Sequence, residues 1–191
     1  MKITSVCVFC SSNNALDQEY FEIARKLGID IAKRRFKLVF GGANVGLMKE
    51  VTEFAIREQG SVIGVLPTFI KNKKGAVQGM TQLIETADMF DRKRKMMELS
   101  DAFLILPGGI GTVDEAFDMI VQKQIGNIKA PIIFINHRGY YDPIKQLLMQ
   151  MVEKNFLKPF DDQYIYFADD IDSIWPYLET YHYNSQGDKW F

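Results

Sequence analysis

Histidine and cysteine are scarce in this chain, with two of each in 191 residues. With only His137 and His182 available, a transition-metal centre built from the protein's own ligands is not expected, although carboxylates remain for a hard cation such as Mg²⁺. The cysteines, Cys7 and Cys10, lie in a CVFC stretch. Strand side chains alternate between faces, so an offset of three sends the two thiols to opposite sides and argues against a metal or redox pair. Charge of either sign is not in excess: 23 Lys and Arg against 24 Asp and Glu give a formal net charge of −1. A near-neutral chain with no basic tail lacks the electrostatic footprint of a nucleic-acid or anionic-membrane partner. No apolar run approaches the ~18 residues a membrane helix needs. The N-terminal stretch MKITSVCVFCSS has neither the h-region nor the cleavage site of a secretory leader and reads as a first strand. The cytoplasm is the expected location.

What is present is enough apolar residue, 47%, to build a sizeable core. The length fits one medium domain, expected to run over 1–191. Short apolar runs alternate with helical patterns. Residues 3–10, 37–40, 61–67, 82–86, 102–106, 131–136 and 164–168 read as strands. Helical spacing of apolar residues is expected over 19–34, 47–58, 89–100 and 112–124, in the region from Gly139 to Asn155, and over 170–180. The polar, Gly-rich residues 68–81 read as a mobile loop. Uninterrupted apolar strands alternating with helices imply an α/β fold: a Rossmann-like, three-layer arrangement with a parallel sheet of about seven strands and helices on both faces. Right-handed crossovers then put the loops after the strands on one edge, where ligands bind in such sheets. Ser11 and both glycine-rich loops lie on that edge.

The second of those loops, LPGGIGTVDEA (106–116), follows a buried strand and opens into a helix. Gly108, Gly109 and Gly111 allow positive φ and leave backbone N–H groups uncovered, and with the helix dipole they make an anion site suited to phosphate. The Thr112 hydroxyl adds a donor. Thr112 and Glu115 also have the T-x-x-E spacing of a capping box, the plainer explanation of both. The helix pattern weakens it. Ala116, Phe117, Ile120 and Gln124 mark a core face, leaving Thr112, Glu115 and Met119 on another, with Glu115 beside whatever the loop binds. Near a helix N-terminus its carboxylate should stay ionised, and it can then stabilise positive charge in a transition state or orient a water. The first loop, GGANVGLMKE (41–50), repeats the arrangement, but tight turns and close packing explain its glycines equally well. In RKRK (92–95), four successive side chains nearly encircle a helix, so at most one or two reach a common site.

Together these stretches resemble the Lonely Guy (LOG) family of cytokinin riboside 5′-monophosphate phosphoribohydrolases, formerly labelled lysine decarboxylases. PGGIGTVDE matches the PGGxGTxxE signature, DMFDRKRKMMELSDAFLILPGG resembles the segment leading into it, and CVFCSS, GGANVGLMKE and GYYDPI match further family stretches. The resemblance implies a Rossmann-like homodimer without metal or cofactor. It implies hydrolysis of the N-glycosidic bond of a purine nucleoside 5′-monophosphate to free base and ribose 5-phosphate. It places the monophosphate on Gly108, Gly109, Gly111 and Thr112, and the two essential residues on Glu115 and Arg92. Ser11, Gly42, Met89 and Lys93 are further candidate substrate contacts. The chain departs from the family pattern at Ala43, Lys49, Ser11 and Phe90, which bears on the pocket more than on the reaction.

Two rival readings start from the same fold. A non-catalytic nucleotide-binding module gains little from a carboxylate beside phosphate. A single-strand-binding protein needs a basic, aromatic-interleaved stripe that this chain lacks. No pyridoxal-binding Ser-x-His-Lys motif supports a decarboxylase.

Overall fold

A computed structural model describes residues 2–183. Met1 and residues 184–191, part of the unit expected from the sequence, lie outside the described residues. The chain order is β1 (Ser5–Phe9), α1 (Gln18–Lys33), β2 (Lys37–Phe40), α2 (Gly46–Arg57), β3 (Val62–Pro67), α3 (Thr68–Lys74), β4 (Gln82–Thr86), α4 (Met89–Glu98), β5 (Ala102–Ile105), α5 (Ile110–Gln124), β6 (Ile132–Ile135), α6 (Asp142–Glu153), β7 (Tyr166–Ala168) and α7 (Ile174–Thr180). Among the described residues no helix is long and apolar enough to cross a membrane.

The strands form one sheet in the order β4-β3-β2-β1-β5-β6-β7, and every pairing is parallel. From β1 the chain steps outward to β4, then returns across the sheet through α4 and continues from β5 to β7. Right-handed crossovers in opposite directions place their helices on opposite faces. Residues of α1, α2 and α7 (among them Leu27, Leu47 and Trp175) therefore pack one face, and residues of α4, α5 and α6 (among them Met96, Ala116 and Leu148) pack the other. Strand alternation divides β1 accordingly. Val6, Val8 and Cys10 join the first core, Cys7 and Phe9 the second, so the two thiols do point apart. Both cysteines are free and buried. Burial, followed by the nearby Glu115 carboxylate, holds both well above the ordinary thiol value, which makes them inert packing groups.

The direction of travel reverses between β1 and β5, and there the loops at their carboxyl ends diverge and open a crevice. Besides the start of α5, three elements differ most from the sequence expectation. Residues 68–81 are not simply a loop. Thr68–Lys74 is helical, Ile70 packs on the core, Ala76 bridges Ala43 and the Val77 N–H donates to the Gly42 carbonyl at 3.3 Å. Pro67, at the helix N-cap with φ −62°, starts the turn that polar composition alone concealed. The last strand covers only Tyr166–Ala168, and the last helix begins at Ile174, because Asp170 caps a turn by accepting from the Ser173 N–H at 2.8 Å.

Candidate active site

The crevice widens into a cavity of about 690 Å³ at the carboxyl edge of the sheet, within the ~300–1,000 Å³ usual for ligand pockets. One wall is the Pro107–Thr112 turn and the start of α5. The opposite wall is the end of β3 with α3, and the floor is the end of β1 with the Gly41–Val45 turn.

α5 begins at Ile110 with Gly109 as N-cap, one turn earlier than the capping-box spacing suggests, and no side chain caps it. Thr112 is thus the third residue of the helix and Glu115 the sixth, so they are not a capping pair. Nor do the glycines take positive φ: Gly108, Gly109 and Gly111 are absent from the residues in that region. Space accounts for one of them. A methyl on Gly108 would overlap the Thr112 side chain, whereas Gly109 and Gly111 face open space. The result is the arrangement expected on other grounds, an uncapped helix start whose first N–H groups border the cavity. Two successive tyrosines brace the turn. The Tyr140 hydroxyl donates to the Gly108 carbonyl at 2.8 Å, and the buried Tyr141 hydroxyl to the Leu106 carbonyl at 2.7 Å.

The first glycine loop ends differently. At the start of α2 the Gly46 N–H donates to Asn14 Oδ1 at 2.8 Å and the Leu47 N–H to the Ser11 carbonyl at 3.0 Å. That helix terminus is occupied by the β1–α1 connection. Gly46, at φ +53°, lets the connection approach, since a Cβ there would lie 2.6 Å from the Ser11 carbonyl oxygen.

Between the walls lies a buried ion pair. α4 starts with Asp88, whose side chain caps it by accepting from the Asp91 N–H at 2.8 Å. One turn on, Arg92 lies inside, 6% exposed. Its Nε donates to the Val65 carbonyl at 3.2 Å, and its Nη1 donates to Oε1 of Glu115, itself 7% exposed. Burial pushes the Glu115 carboxyl above its ordinary value, and the Arg92 guanidinium opposes that rise. A buried guanidinium without an ionised partner is strongly unfavourable, so the two hold each other charged. Both line the cavity.

Of the residues singled out from sequence, Ser11, Met89, Arg92, Gly108, Gly109, Gly111, Thr112 and Glu115 converge on this cavity. Gly42 and Lys93 do not line it. Gly42 has φ +79° and packs under Leu66, while its neighbour Gly41 forms the wall. Lys93 is engaged by Asp114 at 3.2 Å and Asp118 at 3.3 Å, tying α4 to α5. Burial pulls its ammonium down, but the two aspartates more than offset this and leave it raised. Arg94 and Lys95 pair locally with Asp91 and Glu98 on the surface, so one of the four RKRK cations faces the site. Met119, expected off the core face of α5, is instead buried in the core. Of the departures from the family pattern, Ala43 lines the cavity, whereas Lys49 is exposed and pairs with Glu53, and Phe90 is exposed. Sequence reasoning missed Tyr20, in the first turn of α1, and Tyr140, in the β6–α6 connection, which edge the cavity, because a single aromatic at a helix start or in a connection carries no spacing signal.

Comparison with known proteins bears directly on this geometry. The family model described as "Possible lysine decarboxylase" matches residues 48–178. A rice protein named probable cytokinin riboside 5′-monophosphate phosphoribohydrolase is 36% identical over 92% of this chain and 78% of its own. The cytokinin riboside 5′-monophosphate phosphoribohydrolase of Rhodococcoides fascians is 36% identical over 81% of this chain and 79% of its own. Among solved structures, the molybdenum cofactor binding protein of Rippkaea orientalis superposes with a TM-score of 0.70 at 20% identity, covering 94% of this chain and 98% of the other. DNA processing protein A of Helicobacter pylori does so with a TM-score of 0.59 at 18% identity, covering 94% and 83%. At those identities the structural likeness shows the fold alone.

Proposed function

From the premise that this chain belongs to the LOG family of cytokinin riboside 5′-monophosphate phosphoribohydrolases, we propose that the cavity hydrolyses a purine nucleoside 5′-monophosphate and that Glu115 and Arg92 carry the reaction. The observation that supports this most is the buried Arg92–Glu115 pair opening into a cavity beside an uncapped helix start. The 5′-phosphate sits against the first N–H groups of α5 and the Thr112 hydroxyl. The ribose then lies over Glu115. As the C1′–N9 bond breaks, positive charge spreads over C1′ and the ring oxygen, and the ionised Glu115 stabilises it. A water oxygen adds to C1′, and the base leaves with a proton that balances the one the water loses. Arg92 keeps Glu115 ionised and fixed, held in turn by the Val65 carbonyl. A cofactor has no step to perform here.

A pure nucleotide binder is the competing reading. A charged carboxylate in the cavity weakens phosphate binding unless it serves the chemistry, which favours the enzyme. Cytoplasmic location and a homodimer belong to the same proposal. Phe90 on α4, Val121 on α5 and Ile125 just after it leave exposed apolar side chains for a second copy, and light scattering reads the mass. The activity test is base release from AMP and from N6-isopentenyl-AMP, followed by chromatography with Glu115→Gln as control. Release from either, abolished in the variant, is expected. Tight binding without release from either would establish the binding module instead.

A further inference from the structure

Five charged side chains line the cavity, and they are unevenly placed: Lys73, Lys74, Arg92, Asp114 and Glu115. Arg92 and Glu115 satisfy each other, and Asp114, on the glycine-loop wall, is held by Lys93. Lys73 and Lys74, in the last turn of α3, have no ion-pair partner among the described residues. Their neighbour Lys71 faces away from the cavity and pairs with Glu85. The two ammonium groups therefore form the charged rim of the β3 wall.

Their distance from the glycine loop follows from topology. α3 follows β3 and the glycine turn follows β5, and the intervening strand order is β3-β2-β1-β5. Three interstrand spacings separate the walls by roughly 14 Å. The α3 segment is tied to the site by the Ala43–Ala76 bridge and by the Asn44 N–H donating to the Gly75 carbonyl at 3.3 Å. Beneath the lysines the wall is apolar, with Ala43, Val45, Met48, Leu66 and Ile70. A nucleotide with its phosphate on α5 and its ribose over Glu115 directs its base to that apolar surface and the far edge of the base toward Lys73 and Lys74.

We propose that this end of the cavity recognises an acidic substituent on the base, so that the favoured ligand class is a purine nucleoside 5′-monophosphate carrying carboxylate at its distal edge. The orientation rests on the functional reading above. The chemistry of the rim is independent of turnover: two cations without an ion-pair partner among the described residues, over an apolar shelf, select an apolar ring that ends in an anion. A neutral or purely apolar substituent leaves both ammonium groups without a partner.

The test is equilibrium binding by calorimetry of AMP, N6-isopentenyl-AMP and N6-(1,2-dicarboxyethyl)-AMP to the full chain, with base release measured in parallel. Two partly exposed ion pairs predict that the dicarboxylated nucleotide binds about tenfold more tightly than AMP at low ionic strength, and that the preference shrinks with added salt. Lys73→Gln/Lys74→Gln together should remove the preference, whereas Lys71→Gln should retain it. Equal or weaker binding of the dicarboxylated nucleotide overturns the proposal, as does a preference that survives the double substitution. Absence of base release from all three nucleotides, with the binding preference intact, would defeat the hydrolase reading and leave the recognition of an acidic base standing.

Discussion

The backbone of Gly41 lies directly against the guanidinium of Arg92, so that a methyl group at residue 41 would overlap the Nη2 position. The space that Arg92 needs to reach Glu115 from α4 is thus supplied by the turn at the carboxyl end of β2, the strand beside β1. Gly41→Ala should push the guanidinium out of line while leaving both charged residues in the chain. Misplacement by about 1 Å can lower a rate about a hundredfold. The expected outcome is a loss of that order in kcat with a thermal midpoint close to that of the parent, read by base-release kinetics and calorimetry. Unchanged kcat would show that Arg92 does not need its observed position.

The Glu115 carboxyl titrates above the ordinary glutamate value because burial disfavours its charge more than Arg92 restores it. Activity that needs the carboxylate should therefore fall on acidification with an apparent pKa above 4.5, the ordinary value. The sign for stability is opposite. A carboxyl whose folded pKa is raised contributes stability that is fully present below its unfolded pKa and is lost as pH rises through the folded one. Protonating Glu115 does not by itself unfold the protein, so activity should fade while near-UV circular dichroism stays native. Coincident loss of both signals would sink this assignment.

Much of this arrangement was legible in the sequence, and the misses have physical causes. Uninterrupted apolar strands alternating with helices are enough to imply the parallel sheet, because both of its faces must be covered. PGGIGT and Glu115 point to a glycine turn opening a helix with a carboxylate beside it, and both line the cavity. Gly41 does not announce itself, because a glycine that clears room for a side chain 51 residues away carries no local signal. The positive φ that Gly108, Gly109 and Gly111 allow is not used, and the space around Thr112 accounts for Gly108 instead. The start of α5 was misplaced because Thr112 and Glu115 imitate a cap, whereas Glu115 is taken by Arg92 through a contact that only the crossing of α4 back over the sheet creates. Helix α3 is hidden by its lysines, of which Lys73 and Lys74 border the cavity and Lys71 pairs with Glu85.

The paired tyrosines separate positioning from packing. Tyr140→Phe removes the donor to the Gly108 carbonyl at the edge of the cavity and keeps the ring against Tyr20. A net hydrogen bond of about 1 kcal/mol predicts KM for the nucleotide raised roughly fivefold, with little change in unfolding temperature. Tyr141→Phe strands the buried Leu106 carbonyl and should lower stability by about 1–3 kcal/mol. Denaturant unfolding and steady-state kinetics on the two variants separate the effects. An equal loss of stability in both would refute the division of labour.

Asp101 supports the site from the opposite edge of the sheet. Its Oδ2 accepts from the Thr4 N–H and hydroxyl, each at 2.8 Å, and from the Ser5 N–H and hydroxyl, each at 3.0 Å, fastening the start of β1 to the turn that enters β5. Burial pushes the carboxyl up, but these four donors together outweigh it and leave the value lowered. For a carboxyl depressed in the folded state, the stabilisation is present above the unfolded pKa and is lost as pH falls through the folded one. Asp101→Asn should therefore destabilise the protein at neutral pH by about 1–2 kcal/mol, the lower part of the range for charged hydrogen bonds because the group is partly exposed. The gap between parent and variant should hold from pH 7 down to the ordinary aspartate value of 3.8 and close below it. Urea unfolding across that interval checks the sign. A gap that widens on acidification would mean that the carboxylate is not the partner of Thr4 and Ser5, and that some other contact of the strand start holds β1 beside β5.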